Sequence, residues 1–239
     1  MPETWPQADL SNRNMDTPKH ALTVDNVIFG FDDGELKVLI VKHGEGESRG
    51  RWGLPGDWLQ LDETLEQAAS RVLQDRTGVK DIFLEQLHAF SELTRHPGER
   101  IITVAFFALV RSDAHVLSAG KSEMDAQWVN VRETPELIFD HQRILTAALA
   151  RLKHKVRHEP IGFNLLPEKF TLLELQRLYE AVLDITLDKP NFRRKMMKMN
   201  LLVSTDEKQS GVSYRAANLY RFDLRVYKDL TEQGFVFEV

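Results

Sequence analysis

The segment from Gly56 to Val79 places the strongest constraint on the fold, because it joins an irregular loop to one clear helix. Apolar residues at positions 65, 68, 69, 72 and 73 fall at i, i+3, i+4, i+7 and i+8, which puts them on a single helical face. Gly78 follows this pattern directly and is typical of a helix C-terminus. The segment therefore predicts a loop and a helix that ends at Gly78 and buries one face.

Strand-like runs lie on both sides of this helix. Before it, TVDNVIFGF and LKVLIVKH flank the turn Asp32-Asp33-Gly34, and two β-rich runs around a short Asp/Gly turn are typical of a hairpin. A second helix is predicted from about Asp140 to Lys155, and three further runs precede it: DIFLEQLHAFSEL, ERIITVAFFALVR and AQWVNV. Strands interspersed with two helices predict an α+β sandwich rather than a doubly wound sheet.

The last third of the chain has a different pattern. The stretch KHKVRHEPIGFNLLPEKF is predicted to be a polar, basic linker that ends near Pro167. A helix then begins at the Thr171 cap, with Glu174 in the capping-box position, and a second helix begins after Asp188. Two short strands, LLVS and YRAANLYRF, come next, so the elements together predict a winged helix-turn-helix. We expect a flexible tail at 1–19, a front domain at 20–156, and a linker with the winged helix-turn-helix at 157–239.

Composition excludes several classes of protein. The chain has no cysteine, which excludes disulfide frameworks and zinc sites built on thiolates. Its N-terminus is polar and lacks the apolar core of a secretory signal, and no run approaches the roughly eighteen apolar residues that cross a membrane. We therefore expect a cytoplasmic protein without a membrane partner. The net charge of −5 argues weakly against indiscriminate binding to nucleic acid, although local clusters can differ from the average.

The spacing across positions 57–79 resembles the signature of the Nudix hydrolases, G-x5-E-x7-R-E-U-x-E-E-x-G-U, in which U is aliphatic. The matching residues are Glu63, Arg71, Leu73, Gly78 and Val79. The departures are Asp57 at the first Gly, Val72 at the Glu after the Arg, and Asp75 and Arg76 at the Glu pair. The resemblance extends over roughly residues 20–155 and implies a Nudix-like α/β/α sandwich.

The departures from that signature bear on catalysis. Mg²⁺ needs several oxygen ligands close together, whereas here one Glu position holds Val72 and another holds the cation Arg76. Glu63 and Asp75 alone make a poor cage, and Asp57 would meet an approaching diphosphate. We therefore expect no catalytic residues, no metal and no cofactor. The alternative is an active hydrolase of ADP-ribose or another sugar-nucleotide diphosphate, with its catalytic carboxylates relocated.

An inactive Nudix domain can still bind a ligand. Arginines in the turn between two strands can hold phosphate or sugar hydroxyls, although a solvated turn is the simpler interpretation. Two tryptophans flank the altered loop and can stack on a ring, but core positions are equally compatible with them; Asp140 is also well placed to cap the second helix. The predicted effector-binding residues are Trp52, Asp57, Trp58, Arg95, Arg100, Asp140 and His141.

The helix after Asp188 carries the strongest local cluster of positive charge. Phe192, Met196 and Met199 lie on one face, and amide and basic side chains lie on the other. Such a face can simply be solvated or can bind a protein, but its place before a basic hairpin favours insertion into the DNA major groove. The predicted DNA-binding residues are Lys189, Asn191, Arg193, Arg194, Lys195, Lys198, Lys208 and Arg215.

A degenerate Nudix domain followed by such a module resembles the Nudix-related transcriptional regulators of bacteria. Besides the altered box, the resemblance is carried by LIFDH, EPIGFNLLPEKFTLLELQRLYEAV, LDKPNFRRKMMKMNLL and RAANLYRF. The second and third of these are most similar to the Bacteroidetes branch associated with arabinose use, whereas other branches respond to ADP-ribose. The resemblance implies a homodimeric repressor of double-stranded operator DNA. Its small-molecule effector would be a pentose such as L-arabinose, or ADP-ribose.

Overall fold

The computed structural model describes residues 21–211 and 216–238. The strands of the front part are β1 (Ala21–Asp32), β2 (Glu35–His43), β3 (Trp52–Gly53), β4 (Gly56–Trp58), β5 (Glu85–Phe90), β6 (Ile101–Arg111) and β7 (Glu123–Asn130). They form one mixed sheet in the order β3-β2-β1-β6-β5, with β4 paired to β1 and β7 paired to β2. The predicted hairpin of β1 and β2 is confirmed, and β1 runs parallel to β6 along nearly its whole length.

Two helices, α1 (Leu65–Thr77) and α2 (His141–His158), cover opposite faces of this sheet. Alternate residues of a strand point to opposite faces, so Phe106 joins the cluster on α1 and Phe107 joins the cluster on α2. Helix α1 begins with a capping box between Thr64 and Gln67 and ends at Gly78, whose φ of 75° suits a residue without Cβ. The predicted loop and helix are therefore confirmed.

The back part contains α3 (Leu172–Leu183), α4 (Lys189–Lys198), β8 (Leu202–Lys208), β9 (Asn218–Phe222) and α5 (Leu224–Glu232). Helix α3 begins with the predicted capping box between Thr171 and Glu174. The Asp188 carboxylate caps α4 by accepting a hydrogen bond from the Asn191 N–H at 3.0 Å. These elements confirm the predicted fold class, an α+β chain in which a helix–sheet–helix sandwich precedes a winged helix-turn-helix.

The stretch between the two parts differs from the predicted polar linker. Residues up to His158 continue helix α2, and Pro160–Leu165 form a 3-10 turn. Phe163, Leu165 and Phe170 are buried in the same core cluster as residues of α2 and α3. The prediction of a polar linker is wrong for this stretch because its apolar side chains, interleaved with polar ones, enter a shared core. The predicted domain boundaries stay predictions.

Two further elements differ from expectation. The run predicted as a strand at 81–93 is regular only over β5 (Glu85–Phe90), and helix α5 was not predicted. The Asp223 carboxylate caps α5 by accepting hydrogen bonds from the backbone N–H groups of Arg225 and Val226. Among the residues that the structure describes, no helix is both long and apolar enough to span a membrane.

Candidate functional site

A cavity of about 770 Å³ opens where β1 pairs with β4. Its walls come from β1, β4, α1, the loops at 43–48 and 95–99, and the start of α2, so only the folded chain assembles it. The polar and aromatic side chains in its wall include Asp25, His43, Asp57, Trp58, Arg76, Arg95, His96, Phe139 and His141.

Asp25 is the centre of one polar network in this wall. Its buried carboxylate accepts a hydrogen bond from the Thr103 hydroxyl at 2.7 Å and lies 3.7 Å from the Arg95 guanidinium. A Cβ on Gly56 would come within 2.0 Å of an Asp25 carboxylate oxygen. The glycine therefore allows β4 to pass directly beside this buried charge.

Arg95 and His141 connect that network to the start of helix α2. The Arg95 guanidinium donates two hydrogen bonds to Asp140, at 3.1 and 2.9 Å, so the Asp140 carboxylate forms an ion pair and makes no helix cap. The Leu54 N–H donates to His141 Nδ1 at 2.9 Å, which leaves the proton on Nε2, 3.5 Å from Asp25. Burial lowers the pKa of His141, so the ring is neutral at pH 7.

Arg76 is the centre of a second network. It donates hydrogen bonds to Asp57 and to the Ser122 hydroxyl, both at 2.8 Å, and it forms an ion pair with the buried carboxylate of Glu123. Burial raises the pKa of Glu123. Burial, together with the nearby His141 and Arg76, lowers the pKa of His43 to about 4. Two departures from the Nudix signature, Asp57 and Arg76, therefore contact each other directly.

The Nudix fold implies a divalent cation beside helix α1, but the residues at the signature positions do not fit one. Both oxygens of Glu63 accept hydrogen bonds from Arg71, at 2.8 and 2.6 Å, and the Arg71 bonds lower the pKa of Glu63 to about 2. Val72 is fully buried, and Arg76 is itself a cation. Within residues 21–211 and 216–238, no group of three or more His, Cys, Asp or Glu side chains is arranged to hold a metal ion.

The cavity brings together part of the predicted effector site, namely Asp57, Trp58, Arg95 and His141. Asp140 lies in an adjoining pocket of about 300 Å³. Trp52 is not in the cavity wall, because it packs on the main core with the Lys42 ammonium 5.7 Å from its ring centroid. Arg100 is not there either, because it donates a hydrogen bond to the Ser91 carbonyl at 2.7 Å and so holds its own loop.

Several residues of the cavity wall were not predicted to bind an effector, among them His43, Arg76 and Phe139. Phe139 has a φ of 49°, which is uncommon for a residue with a Cβ, and its ring lies 4.5 Å from that of His96. No local sequence pattern marks it. For Arg76 the sequence itself contained an indication. Where the Nudix signature has Gly and Glu, this chain has the acid Asp57 and the cation Arg76, so the two charges occur together.

Helix α4 presents one basic surface. Phe192 and Met196 are buried, whereas the predicted DNA-contacting residues on this helix are all exposed: Lys189, Asn191, Arg193, Arg194, Lys195 and Lys198. None of these cations forms a salt bridge within the described residues. Lys208 is exposed at the end of β8, and Arg215 lies outside the described residues.

The turn between α3 and α4 is held by Glu180. One of its carboxylate oxygens accepts hydrogen bonds from Gln176 Nε2 and from the Leu187 N–H, both at 2.9 Å. Tyr179 of α3 packs on Phe192 of α4, with ring centroids 5.8 Å apart. Helix α4 is therefore fixed against α3 while its basic surface faces solvent.

Comparison with known proteins accounts for both parts of the chain. The Nudix domain family matches residues 19–149, and the NrtR DNA-binding winged helix domain family matches residues 162–222. The ADPR responsive transcriptional repressor NtrR of Acinetobacter baylyi is 35% identical over 216 residues, which cover 89% of this chain and 86% of that protein. An ADP-ribose pyrophosphatase of Methanocaldococcus jannaschii is 28% identical over 125 residues, which cover 52% of this chain and 70% of that protein.

Solved structures of NrtR from Shewanella oneidensis are similar to both parts. The crystal structure of that protein complexed with a 27mer DNA has a TM-score of 0.68 at 30% identity, and the match covers 90% of this chain and 97% of that chain. Its NUDIX domain complexed with ADP ribose has a TM-score of 0.55 at 33% identity, covering 60% of this chain and 96% of that chain. The chain therefore belongs to the NrtR family, in which a Nudix domain is followed by an NrtR DNA-binding winged helix domain.

Proposed function

We propose that this protein is a transcriptional repressor that binds operator DNA through helix α4 and senses a sugar-containing effector in the front cavity. The observation that carries the proposal is the exposed basic surface of α4, on the second helix of a winged helix-turn-helix. In that motif the second helix enters the major groove and the hairpin contacts phosphates. The relation to the Acinetobacter baylyi repressor and to Shewanella oneidensis NrtR, crystallised with DNA, supports the assignment.

The side chains on α4 divide by position and chemistry. Asn191 and Arg194 lie opposite the apolar face of the helix and carry groups that read base edges, because an amide pairs with adenine and a guanidinium pairs with guanine. The lysines at 189, 195 and 198, with Arg193, suit phosphate contacts, as does Lys208 at the end of β8. Arg215 carries the same type of charge. Because the whole chain has a net charge of −5, we infer a homodimer that adds the affinities of two half-sites.

We infer that ADP-ribose is the effector. A cavity of about 770 Å³ is in the range that encloses a nucleotide-sized ligand, whereas a pentose would fill only a small part of it. Trp58 and Phe139 offer faces for a purine ring, and the carboxylates of Glu45, Glu47 and Glu99 can accept hydrogen bonds from ribose hydroxyls. The ADP ribose complex of the related NUDIX domain supports this choice. The alternative effector is a pentose such as L-arabinose.

We further propose that the front domain does not hydrolyse its effector. The alternative, an ADP-ribose hydrolase, is favoured by the relation to the Methanocaldococcus jannaschii pyrophosphatase. Against it stand the Glu63–Arg71 ion pair and the apolar Val72, which leave the signature positions without a set of metal ligands. Incubation of the protein with ADP-ribose and Mg²⁺ should release no AMP; release that disappears in Glu63→Gln would establish the hydrolase.

The DNA-binding proposal is tested with fluorescence anisotropy on the DNA fragment that precedes the protein's own gene. Wild type should bind, and the double variant Arg194→Ala, Lys198→Ala should bind at least about tenfold more weakly, because phosphate and base contacts are lost together. Arg111→Ala is the matched control, since its exposed guanidinium pairs with Asp113 in the front part. Unchanged affinity of the double variant would assign the basic surface of α4 to another partner.

A further inference from the structure

We infer that the Arg76 guanidinium takes the place of a divalent cation in this cavity. It binds the diphosphate of the effector directly, in exchange for Asp57, so that effector binding requires no metal ion. The inference rests on the proposed function, because it concerns how the phosphates of ADP-ribose are held.

The first ground is that two departures from the Nudix signature are coupled in space. Asp57 stands where the signature has Gly, Arg76 stands where it has Glu, and the two side chains form a salt bridge at 2.8 Å. Arg76 introduces a positive charge at a position where the Glu of the Nudix signature helps to bind a cation. Asp57 supplies a second carboxylate, besides Glu123, that pairs with this charge while no phosphate is present.

The second ground is that the departure of Asp57 would free two adjacent donors of Arg76. Arg95 also lies in the cavity wall, but its guanidinium donates two hydrogen bonds to Asp140 and lies 3.7 Å from Asp25. Arg76 donates from Nη1 to Ser122 and Glu123 and from Nη2 to Asp57. Within the described residues its Nε–H makes no hydrogen bond, and Nη2, on the same edge of the guanidinium, donates only to Asp57. When Asp57 leaves, Nε and Nη2 together form one free edge. Such an edge binds a phosphate in bidentate geometry.

At Arg95 the Asp140 carboxylate accepts hydrogen bonds from both Nε and Nη2, so it already occupies the edge of the guanidinium that a phosphate would need. Arg76 is different because its two carboxylate partners differ in exposure. The Glu123 side chain is 0% exposed, whereas the Asp57 side chain is 29% exposed. Glu123 therefore anchors the guanidinium, and Asp57 is the partner that an entering phosphate can displace.

The carboxylates at the rim of the cavity repel an anionic ligand. Glu45, Glu47 and Glu99 line the opening and are exposed. Exposed charges are screened over a Debye length of about 8 Å at physiological salt. The Arg76 side chain is only 16% exposed, so a direct contact there is screened much less. Salt therefore weakens a contact with Arg76 less than it weakens the repulsion from the rim.

The test is calorimetric titration of the full chain with ADP-ribose, in EDTA and again in MgCl₂. Wild type should bind with the same affinity in both, within about twofold. Arg76→Lys should bind about tenfold more weakly, because an ammonium keeps the charge opposite Glu123 but lacks the fork. Asp57→Asn should bind several-fold more tightly, because the competing carboxylate is removed. Arg111→Gln is the control, and a thermal melt of each variant checks that it folds.

The outcomes separate the two proposals. Binding by wild type only in MgCl₂, or equal affinity of wild type and Arg76→Lys, overturns the role of Arg76 and leaves ADP-ribose as the effector. Weaker binding by a folded Asp57→Asn also overturns it, because Asp57 would then contact the effector itself. Absence of ADP-ribose binding in both buffers, with stabilisation by L-arabinose, overturns the proposed effector and this inference together.

Discussion

The substitution Val72→Glu would return to helix α1 a carboxylate that the Nudix signature has at this position. Val72 is 0% exposed and lies in a cluster with Val24, Val104 and Phe106, whose side chains are all apolar. A carboxyl there has no partner that stabilises its charge, so it takes up a proton when the protein folds. We therefore expect loss of stability rather than gain of catalysis.

The size of the loss follows from linkage. In the unfolded chain the new carboxyl has its ordinary pKa of about 4.3, so holding it protonated at pH 7 costs about 3–4 kcal/mol. Burial of an unpaired neutral carboxyl adds about 1–3 kcal/mol. The sum is a large share of the roughly 5–15 kcal/mol by which a domain is stable. Because the pKa of the new carboxyl is raised in the folded state, the loss of stability that comes from keeping it protonated is absent below about pH 4.3. Above that pH this loss grows by about 1.4 kcal/mol per pH unit.

Urea unfolding followed by circular dichroism at pH 5, 6 and 7 measures this effect. The free energy of unfolding of Val72→Glu should fall relative to wild type as the pH rises, whereas Val72→Gln should show a loss that does not change with pH. Gln74→Glu is the control for an added charge on an exposed position of the same helix. A loss below about 1 kcal/mol at pH 7, with no dependence on pH, would refute the reasoning, because position 72 would then be accessible to water.

Three further predictions concern other parts of the chain. The hydrogen bonds from Arg71 lower the pKa of Glu63 to about 2, so they contribute stability that is present above the unfolded pKa and is lost as the pH falls through 2. In Glu63→Gln, the melting temperature should therefore fall less between pH 5 and pH 2 than it does in wild type. Glu180→Ala should leave the Leu187 N–H without its acceptor and lower the free energy of unfolding by about 1–3 kcal/mol in chemical denaturation. DNA binding should weaken, whereas ADP-ribose binding measured by calorimetry should not change. An equal loss of both would contradict a local role of Glu180. Lys198→Ala should reduce the slope of log affinity for DNA against log salt concentration by about 1, and an unchanged slope would mean that Lys198 contacts no phosphate.

Features that depend on neighbouring residues in sequence were predictable. The apolar face of α1, its stop at Gly78, and the capping boxes at the starts of α1 and α3 involve residues within one or two turns of each other. The Asp188 cap and the buried side of α4 follow from the same local spacing. For such features the sequence pattern and the physical contact cover the same few residues, so the pattern is sufficient.

Features that depend on distant partners were not predictable in the same way. Asp140 was expected to cap α2, but its carboxylate binds Arg95, which lies 45 residues earlier. The segment that contains Phe163 and Phe170 was predicted to be a polar, basic linker, yet its apolar residues share a core with α2 and α3. Helix α5 has a local indication in the sequence, because Asp223 is a residue type that caps a helix N-terminus.

On the proposed function, the coupling of an effector to DNA affinity would depend on the core that the two parts share. Leu152 and Val156 of α2 belong to the same buried cluster as Leu175 of α3 and Phe192 of α4, and the start of α2 is held in the cavity wall by Arg95. An effector changes DNA affinity only by the difference between its affinities for two arrangements of the protein, and a tenfold change requires about 1.4 kcal/mol. That amount is comparable to one or two hydrogen bonds. Small shifts in the contacts along α2 are therefore sufficient, and neither part has to unfold.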